Sequence, residues 1–388
     1  MQGLTVREAA DRLGVKTATV YAYVSRGVLR RTRESGGRRS RFDPAEVEEL
    51  ARRGRPRRST TPLALDLVVR SRLTVIGDHD FSYRGVSALE LAQTAQFEEV
   101  AEWLWTAERP PRPPRWSAPS LNLPEAAAGR DRLRLAVILQ SARDPLRADL
   151  SPPAVVDRAR RVIAALAAAV GDRVRAGGRP ENSIAGRVWM GLAMAPPTSE
   201  RLEALNAALV LLADHELAAS TVAARVAASA RADPYSVVLA GMGAMAGNLH
   251  GGAAPQAREL LEASCEMGAA ASLARFAEAR SHLPGFGHRL YPGGDPRARL
   301  LLRLVQRAAP RSVLLAKAHT LISTAREIAG VEPNVDLALA LLTMVAEMPP
   351  DAGEVIFTIA RTAGWLAHAL EEYSEPPLRF RARAVARG

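Results

Sequence analysis

Most of this chain beyond residue 88 consists of segments in which Ala, Leu and Val recur at helical spacing, and Pro separates many of them. These segments are 88–107, 130–142, 153–176, 199–231, 234–246, 255–279 and 296–308. Ala and Leu are strong helix formers, and Pro is tolerated in the first turn of a helix. Aromatic residues make up only 5% of the chain, and β-branched runs are few. The sequence therefore predicts a mainly α fold.

The length and the single cysteine limit the remaining possibilities. A chain of 388 residues is too long for one ordinary core, so we expect two or more domains. Cys265 alone can form neither an internal disulfide nor a cysteine-rich zinc site. No charged leader and no apolar run of about 18 residues is found, which predicts a cytoplasmic protein without a membrane partner. Metal-ligand spacings and phosphate-binding glycine motifs are also missing, so we expect no metal and no nucleotide cofactor.

Positive charge is concentrated at the N-terminus. Residues 1–60 contain 15 Lys and Arg against 7 Asp and Glu, although the whole chain has 52 against 41. Local basicity of this kind suits a polyanionic partner, but it is also what a solvated surface in an Arg-rich protein would show.

The same region has a helix-turn-helix pattern. Thr5 can cap a helix over 6–13, with Glu8 completing a capping box. Gly14 then interrupts the pattern, and Thr17 opens a second helix over 18–25. The basic run 30–39 that follows is typical of a β-wing, and Asp43-Pro44 starts a third helix over 45–52.

This region resembles the MerR/excisionase-type winged helix-turn-helix family, in 4–10, 13–15, 19–21 and 36–41. The resemblance implies that the second helix enters a major groove of duplex DNA and that the wing contacts phosphates. A dimerisation or docking role is the alternative. The residues implied for DNA contact are Lys16, Thr17, Thr19, Tyr21, Arg38 and Arg39.

Residues 53–62 are predicted to form a basic linker. Pro and Gly interrupt this stretch, which is typical of a connecting segment. Its Arg-Gly-Arg-Pro core at 53–56 also resembles an AT-hook, a minor-groove binding motif. Beyond it, the apolar segment 63–75 is predicted to pair with 80–83 as a small hairpin.

Three short segments each place one titratable side chain beside Gly or Pro. They contain His250 in 248–253, His288 in 284–289 and Asp336 in 333–336. Taken singly, His250 could cap a helix or sit in a core, His288 could lie in a surface turn, and Asp336 could be the N-cap of an apolar helix over 337–348. Taken together, two His and one Asp could form and trap a carbanion.

These segments occur in one order with further motifs, and the set resembles the citrate synthase family from about residue 63 to the C-terminus. The motifs are Ala-Asp-His-Glu-Leu at 213–217, Leu-His-Gly-Gly-Ala at 249–253, Pro-Gly-Phe-Gly-His-Arg at 284–289, Asp-Pro-Arg at 295–297, Pro-Asn-Val-Asp at 333–336 and Ala-Arg-Thr-Ala-Gly-Trp-Leu-Ala-His at 360–368.

The resemblance implies a role for each matching residue. Asp336 would take a proton from the acetyl-CoA methyl group, His250 would bond the enolate oxygen, and His288 would protonate the oxaloacetate ketone. His215, Arg297 and Arg361 would hold the oxaloacetate carboxylates, since Arg binds carboxylates in a bidentate fork. Arg381 would reach the partner subunit's site in a homodimer. The residues implied for coenzyme A binding are Pro284, Gly285, Phe286, Gly287 and Arg289.

The resemblance also implies an all-helical enzyme with two domains, a large one over 63–252 and 345–388 and a small one over 253–344, preceded by the winged domain 1–52. Two alternatives stay open. One is a 2-methylcitrate synthase acting on propionyl-CoA, because residues after Asp336 and Ala253 differ from those usual in the family. The other is a DNA-binding regulator that uses the synthase body as a metabolite sensor.

Overall fold

The computed structural model describes residues 3–13, 15, 17–25, 29–33, 40–52, 68–77, 80–124, 127–171, 182–247, 250–279 and 282–381. The chain divides into two compact units, Met1–Val69 and Arg70–Gly388. The predicted boundaries of a linker and of large and small enzyme domains stay predictions.

The first unit combines three helices with a small sheet among its described residues. Its elements are β1 (Leu4–Thr5), α1 (Val6–Leu13), α2 (Thr17–Ser25), β2 (Arg31–Arg33), β3 (Ser40–Phe42) and α3 (Pro44–Arg52). The predicted capping box is confirmed, since Thr5 N donates to Glu8 Oε2 (2.7 Å) and Glu8 N donates to Thr5 Oγ1 (3.3 Å). These contacts begin α1 at the predicted residue.

Antiparallel pairing of β2 with β3 supports the predicted wing. Strand order is β1-β3-β2, with Thr32 opposite Arg41. Phe42, Val20 and Leu29 are buried in the core beneath this sheet. The wing tip at 34–39 lies outside the described residues.

The second unit starts with a three-stranded sheet of β4 (Thr74–Ile76), β5 (Phe81–Tyr83) and β6 (Val86–Ser87). The pairing of β4 with β5 confirms the hairpin between these strands. Residues 63–67 of the predicted first strand lie outside the described part of the chain.

Helices are the main element of the rest of this unit, which confirms the mainly α prediction. They are α4 (Ala88–Thr94), α5 (Phe97–Thr106), α6 (Gly129–Arg143), α7 (Pro152–Gly171), α8 (Ile184–Leu192), α9 (Ser199–Leu212), α10 (Ala219–Ser229), α11 (Pro234–Met245), α12 (Ala253–Met267), α13 (Ala269–Ala279), α14 (Pro296–Ala308), α15 (Val313–Ala329), α16 (Val335–Val345) and α17 (Ala352–Tyr373). In the part of the chain that the structure describes, no helix is long and apolar enough to cross a membrane.

Three segments predicted as single long helices are each two helices. The first divides at 95–96, where a capping box between Gln96 and Glu99 starts α5. The second divides at 213–218, with Glu216 at φ +50°. The third divides at Gly268, whose φ of +88° ends α12. Hydrophobic periodicity continued across these breaks because buried loops also keep apolar residues.

Two helices, α8 and α15, were not predicted.

Helix α17 lies at the centre of the unit, and nearly all of its residues are buried, including Trp365 and Arg361. A helix buried on all sides carries no amphipathic pattern, so its polar side chains stand out as candidates for a functional role.

Candidate functional site

One cleft of about 540 Å³ in the second unit gathers side chains from distant parts of the sequence. They come from the α9–α10 connection, the start of α12, the loop before α14, the start of α16 and the middle of α17. The lining residues are His215, Glu216, Leu217, Ala218, His250, Ala253, His288, Arg289, Leu290, Arg297, Val335, Asp336, Phe357 and Arg361.

Two loops at this cleft are joined by hydrogen bonds. Gly287 N donates to Glu332 O (2.8 Å), and Asn334 N donates to Gly285 O (2.9 Å). The Asn334 side chain adds a bond from Nδ2 to Gly287 O (3.0 Å). Gly285 has φ +78°, and a Cβ there would lie 2.9 Å from a side chain of α16, so glycine is needed for the approach. This junction places a histidine and an aspartate at the same cleft.

His288 faces N–H donors at both ring nitrogens. Arg297 Nη2 lies 3.1 Å from Nε2, and the Leu290 backbone N lies 3.2 Å from Nδ1. Neither group can accept a hydrogen bond, so both disfavour a doubly protonated ring, and the neutral ring can accept from only one of them while its own N–H faces the other. Burial and then the charge of Arg297 lower the pKa of His288 to about 4. The ring is therefore neutral at neutral pH.

Arg297 is held by a carboxylate in its own helix cap. Asp295 is the N-cap of α14 and accepts from Arg297 Nε (2.9 Å) and Nη2 (2.8 Å). It also accepts from the Val335 backbone N (2.9 Å), which ties α14 to the start of α16. Burial opposes ionisation, but the Arg297 charge lowers the pKa of Asp295. The guanidinium is thus fixed at the cleft wall.

Asp336 stands in the first turn of α16, and it is not the N-cap that its sequence context suggested. Asn334 is the cap, and its side chain accepts from Asp336 N (3.0 Å). No hydrogen bond to the Asp336 carboxylate is found among the described residues. Burial, only partly offset by the charge of Arg297, raises its pKa to about 6. A carboxylate of this basicity is suited to accept a proton near neutral pH.

His250 has its tautomer set by a serine. Its Nε2 lies 2.7 Å from Ser220 Oγ, and Trp365 Nε1 donates to the same oxygen (3.1 Å). Among the described residues the Ser220 hydroxyl proton has no other acceptor, so the hydroxyl donates to Nε2, which leaves the ring proton on Nδ1. Burial and then the charge of Arg361 lower the pKa of His250 to about 4. His250 is therefore a neutral hydrogen-bond donor.

His215 lies in the connection between α9 and α10, within the segment 199–231 that was predicted to be helical. Its Nε2 lies 3.0 Å from the hydroxyl of Tyr291, and its ring packs edge-on against Phe81. Burial, Arg297 and Arg361 lower the pKa of His215 well below its usual value.

Arg361 is a buried cation facing the cleft. Its Nε donates to Leu212 O (2.8 Å), and its guanidinium lies 4.8 Å from the Phe357 ring centroid. Among the described residues, no carboxylate forms an ion pair with it. Burial lowers the pKa of Arg361 to about 10, although the charge of Asp214 opposes the fall. A buried guanidinium without a bonded carboxylate is suited to an anionic ligand.

Close helix packing makes this placement of Arg361 possible. Gly364 N donates to Ala213 O (3.0 Å), and a Cβ on Gly364 would lie 2.5 Å from that oxygen. Glycine at this position therefore lets α17 approach the α9–α10 connection.

A buried polar chain supports Asp214 from behind. Arg225 Nη1 lies 2.7 Å from His368 Nδ1, and Arg225 Nε donates to Glu372 (3.0 Å). Because Arg225 can only donate, His368 Nδ1 accepts and its proton is on Nε2, which lies 3.3 Å from Asp214 Oδ1. The Thr74 hydroxyl donates to the other carboxylate oxygen. Asp214 is thus held as an anion behind the cleft.

The structure brings together all three predicted catalytic residues and three of the four predicted substrate ligands. Of the predicted coenzyme A residues, only Arg289 lines the cleft, whereas Pro284, Gly285 and Phe286 are buried beneath it and Gly287 is exposed. Arg381 is exposed beyond the end of α17 and does not line the cleft of its own chain.

The predicted DNA-contacting residues are only partly described. Thr17 is exposed and Thr19 half-buried on α2. Lys16, Arg38 and Arg39 lie outside the described residues, and so does the side chain of Tyr21.

Four residues in contact with site side chains were given no role from sequence. They are Ser220, Trp365, Tyr291 and Asp295. Asp295 had a signal, because Asp before Pro at a helix start is typical of an N-cap that can also bond nearby donors. The other three act through contacts between segments that are far apart in the sequence, which no local spacing indicates.

Comparison with known protein families supports both units. The C-terminal domain of citrate synthase matches residues 66–383, and a helix-turn-helix domain matches residues 4–55. Citrate synthase 2 of Bacillus subtilis is 30% identical over 334 residues, covering 78% of this chain and 89% of that protein. Putative citrate synthase 2 of Mycobacterium tuberculosis is 37% identical over 190 residues, about half the length of each chain.

Solved structures show the same fold. Citrate synthase from Thermoplasma acidophilum, in a ternary complex with carboxymethyl coenzyme A and oxaloacetate, matches with a TM-score of 0.71 and 25% identity over 83% of this chain and 94% of that one. Citrate synthase from Thermotoga maritima matches with a TM-score of 0.69 and 26% identity over 84% and 95%.

Proposed function

Because this chain belongs to the citrate synthase family, we propose that it condenses acetyl-CoA with oxaloacetate to give citrate and coenzyme A. The observation that carries the proposal is the convergence of Asp336, His250, His288 and Arg361 on one cleft. The cleft contains a basic carboxylate, two neutral imidazoles and a cation that has no ion-paired carboxylate among the described residues. These are the groups needed to join a carbanion to a dicarboxylate.

Asp336 would begin the reaction by taking a proton from the methyl group of acetyl-CoA. A thioester α-proton is weakly acidic, so the base must be strong yet ionised at the working pH. The pKa of about 6 fits both needs, since most of the carboxylate is ionised at pH 7 to 8.

His250 would stabilise the enolate oxygen that forms in this step. Its Nδ1–H is available as a donor because Ser220 engages Nε2. A neutral N–H donor placed where negative charge develops lowers the barrier to enolate formation. Removal of such a donor typically costs about 10²–10³ in kcat.

Oxaloacetate would bind through its carboxylates to Arg361, Arg297 and His215. His288 and Arg297 lie on the same cleft wall, so a carboxylate of bound oxaloacetate would compete with His288 for the Arg297 Nη2 donor. His288 would then donate its ring proton to the ketone oxygen as the enolate carbon attacks the carbonyl carbon. Hydrolysis of the resulting citryl thioester by water releases citrate and coenzyme A. The proton that Asp336 took from the methyl group replaces the one that His288 gave. With the water consumed in hydrolysis, these side chains and the substrates then account for every proton and electron pair, so the proposal needs no metal ion or cofactor.

The test is release of free thiol from acetyl-CoA in the presence of oxaloacetate. We expect turnover by the wild-type chain, with a loss of about 10²-fold or more in Asp336→Asn and a smaller response to propionyl-CoA. Omission of oxaloacetate is the control for simple thioester hydrolysis. Absence of thiol release with acetyl-CoA would exclude this function and leave the sensor hypothesis, whereas faster release with propionyl-CoA would favour the 2-methylcitrate alternative.

We also propose a homodimer in which Arg381 completes the partner subunit's site. Support comes from the family resemblance and from the position of Arg381 away from its own cleft. Co-expression of Arg381→Leu with Asp336→Asn tests this, because a mixed dimer would contain one site with both residues intact. Recovery of activity is expected in the mixture, and an inactive mixture of proven heterodimers contradicts the arrangement.

Duplex DNA binding is proposed for the first unit, which matches a helix-turn-helix domain over residues 4–55. Exposed Thr17 at the start of α2 supports a groove-facing helix. We expect retention on duplex DNA that weakens steeply between low and physiological salt. Equal retention after removal of residues 1–60 would contradict the proposal.

A further inference from the structure

Tyr291 lies next to His215, His288 and Arg297, which are proposed to contact oxaloacetate, although Tyr291 does not line the cleft itself. Its side chain is almost fully buried. Its ring centroid is 5.7 Å from that of His215 and 4.9 Å from that of His288, and the Arg297 guanidinium lies 5.6 Å from it. It therefore contacts three residues proposed to bind oxaloacetate.

The direction of one hydrogen bond decides what Tyr291 does. Its hydroxyl lies 3.0 Å from His215 Nε2, the only hydrogen bond found for it among the described residues. If Nε2–H were the donor, the buried phenol proton would have no described acceptor, which is costly. If the phenol donates, both groups are satisfied. The second arrangement is favoured, and the imidazole proton is then on Nδ1.

The local packing holds this arrangement. The Phe81 ring packs edge-on against the His215 ring, with their centroids 5.9 Å apart. The Tyr291 ring also packs edge-on against the His215 ring. Arg297 and Arg361, the cations that act electrostatically on His215, oppose a second ring proton. His215 can therefore offer a single N–H donor to a carboxylate or carbonyl oxygen.

We propose that Tyr291 is a positioning residue for oxaloacetate, whose hydroxyl fixes the tautomer of His215 so that Nδ1–H is the donor offered to the substrate. The identity of the ligand rests on the proposed function, whereas the tautomer does not. The two can therefore fail separately.

The binding test uses Tyr291→Phe, which retains the ring and removes only the hydroxyl. We expect the Kd of oxaloacetate, measured by titration calorimetry on the full chain, to rise about tenfold. The KM of acetyl-CoA should stay unchanged, because the lost bond lies on the dicarboxylate side of the cleft. Tyr235→Phe is the matched control, since it removes an equally buried hydroxyl bonded to Asp144, which does not line the cleft.

The tautomer test uses ¹⁵N-histidine NMR of the wild-type chain, with His215→Gln to identify the signal. We expect a protonated Nδ1 and an unprotonated Nε2 on His215, and a mixture of tautomers in Tyr291→Phe. A wild-type His215 protonated on Nε2, or unchanged oxaloacetate affinity in Tyr291→Phe, overturns the proposal. If the wild-type chain neither binds nor converts oxaloacetate, the proposed function fails while the tautomer result still stands.

Discussion

Replacement of Asp336 by Asn should inactivate the enzyme and stabilise the fold. The native environment raises the pKa of Asp336 from 3.8 to about 6, chiefly through burial. That rise is roughly two pH units, and since one unit corresponds to about 1.4 kcal/mol, the ionised carboxylate costs about 3 kcal/mol of folding free energy. Neutral Asn at the same position carries no such cost, and it cannot accept the substrate proton.

The sign of this effect depends on pH in a defined way. A raised carboxyl pKa means that the native state holds its proton between pH 3.8 and about 6, where the unfolded chain has lost it. Wild-type stability therefore falls as pH rises through this window. Above pH 6 the Asn variant should gain up to about 3 kcal/mol, equivalent to roughly 4 °C in a domain of this size. Near pH 4 the advantage should disappear.

Thermal and denaturant unfolding between pH 4 and 8, paired with the thiol-release assay, measures both effects. Asp295→Asn is the matched control, because that carboxylate is bonded to Arg297 and its pKa is lowered. The same substitution there should destabilise the protein at pH 7. An Asp336→Asn variant that is less stable than wild type at pH 7.5, or whose advantage persists unchanged at pH 4, would contradict a burial cost at Asp336.

Further outcomes follow from other buried groups. The pKa values of His250 and His288 are lowered from 6.5 to about 4, so the free energy of unfolding should fall as pH drops through this range, by up to about 3 kcal/mol for each histidine. The variant His250→Gln should lessen this loss when unfolding is measured in acid. His368→Leu should weaken oxaloacetate binding by about tenfold in calorimetry, whereas His368→Gln, whose amide can both accept and donate, should retain it. Gly251→Ala should abolish thiol release, since its Cβ would lie 2.3 Å from a backbone carbonyl oxygen. A Cβ at Gly243 would meet no atom within 4 Å apart from its chain neighbours and its own helix backbone, so Gly243→Ala should leave activity unchanged and stability equal or slightly higher.

Short capping motifs in the sequence correctly predicted where some helices begin, because a cap depends only on neighbouring residues. The Thr5–Glu8 capping box starts α1 at the residue expected, and α14 starts at Pro296, where the Pro-led segment predicted it. Predictions failed where periodicity continued across a break, most importantly at 213–218. That break contains His215, which could not have reached the cleft from within a continuous helix.

Helix propensity, caps and short motifs act over a few neighbouring residues, so the mainly α class, the helix-turn-helix pattern and the residue types of the site can be predicted from the chain alone. The properties of those site residues arise only in the packed fold. The pKa of Asp336 depends on burial, and the tautomer of His250 depends on Ser220, which is far from it in the chain. The packing of α17 likewise places Arg361 where no carboxylate of the described residues forms an ion pair with it. Desolvation and hydrogen-bond direction are properties of the packed interior, and no spacing along the chain encodes them directly.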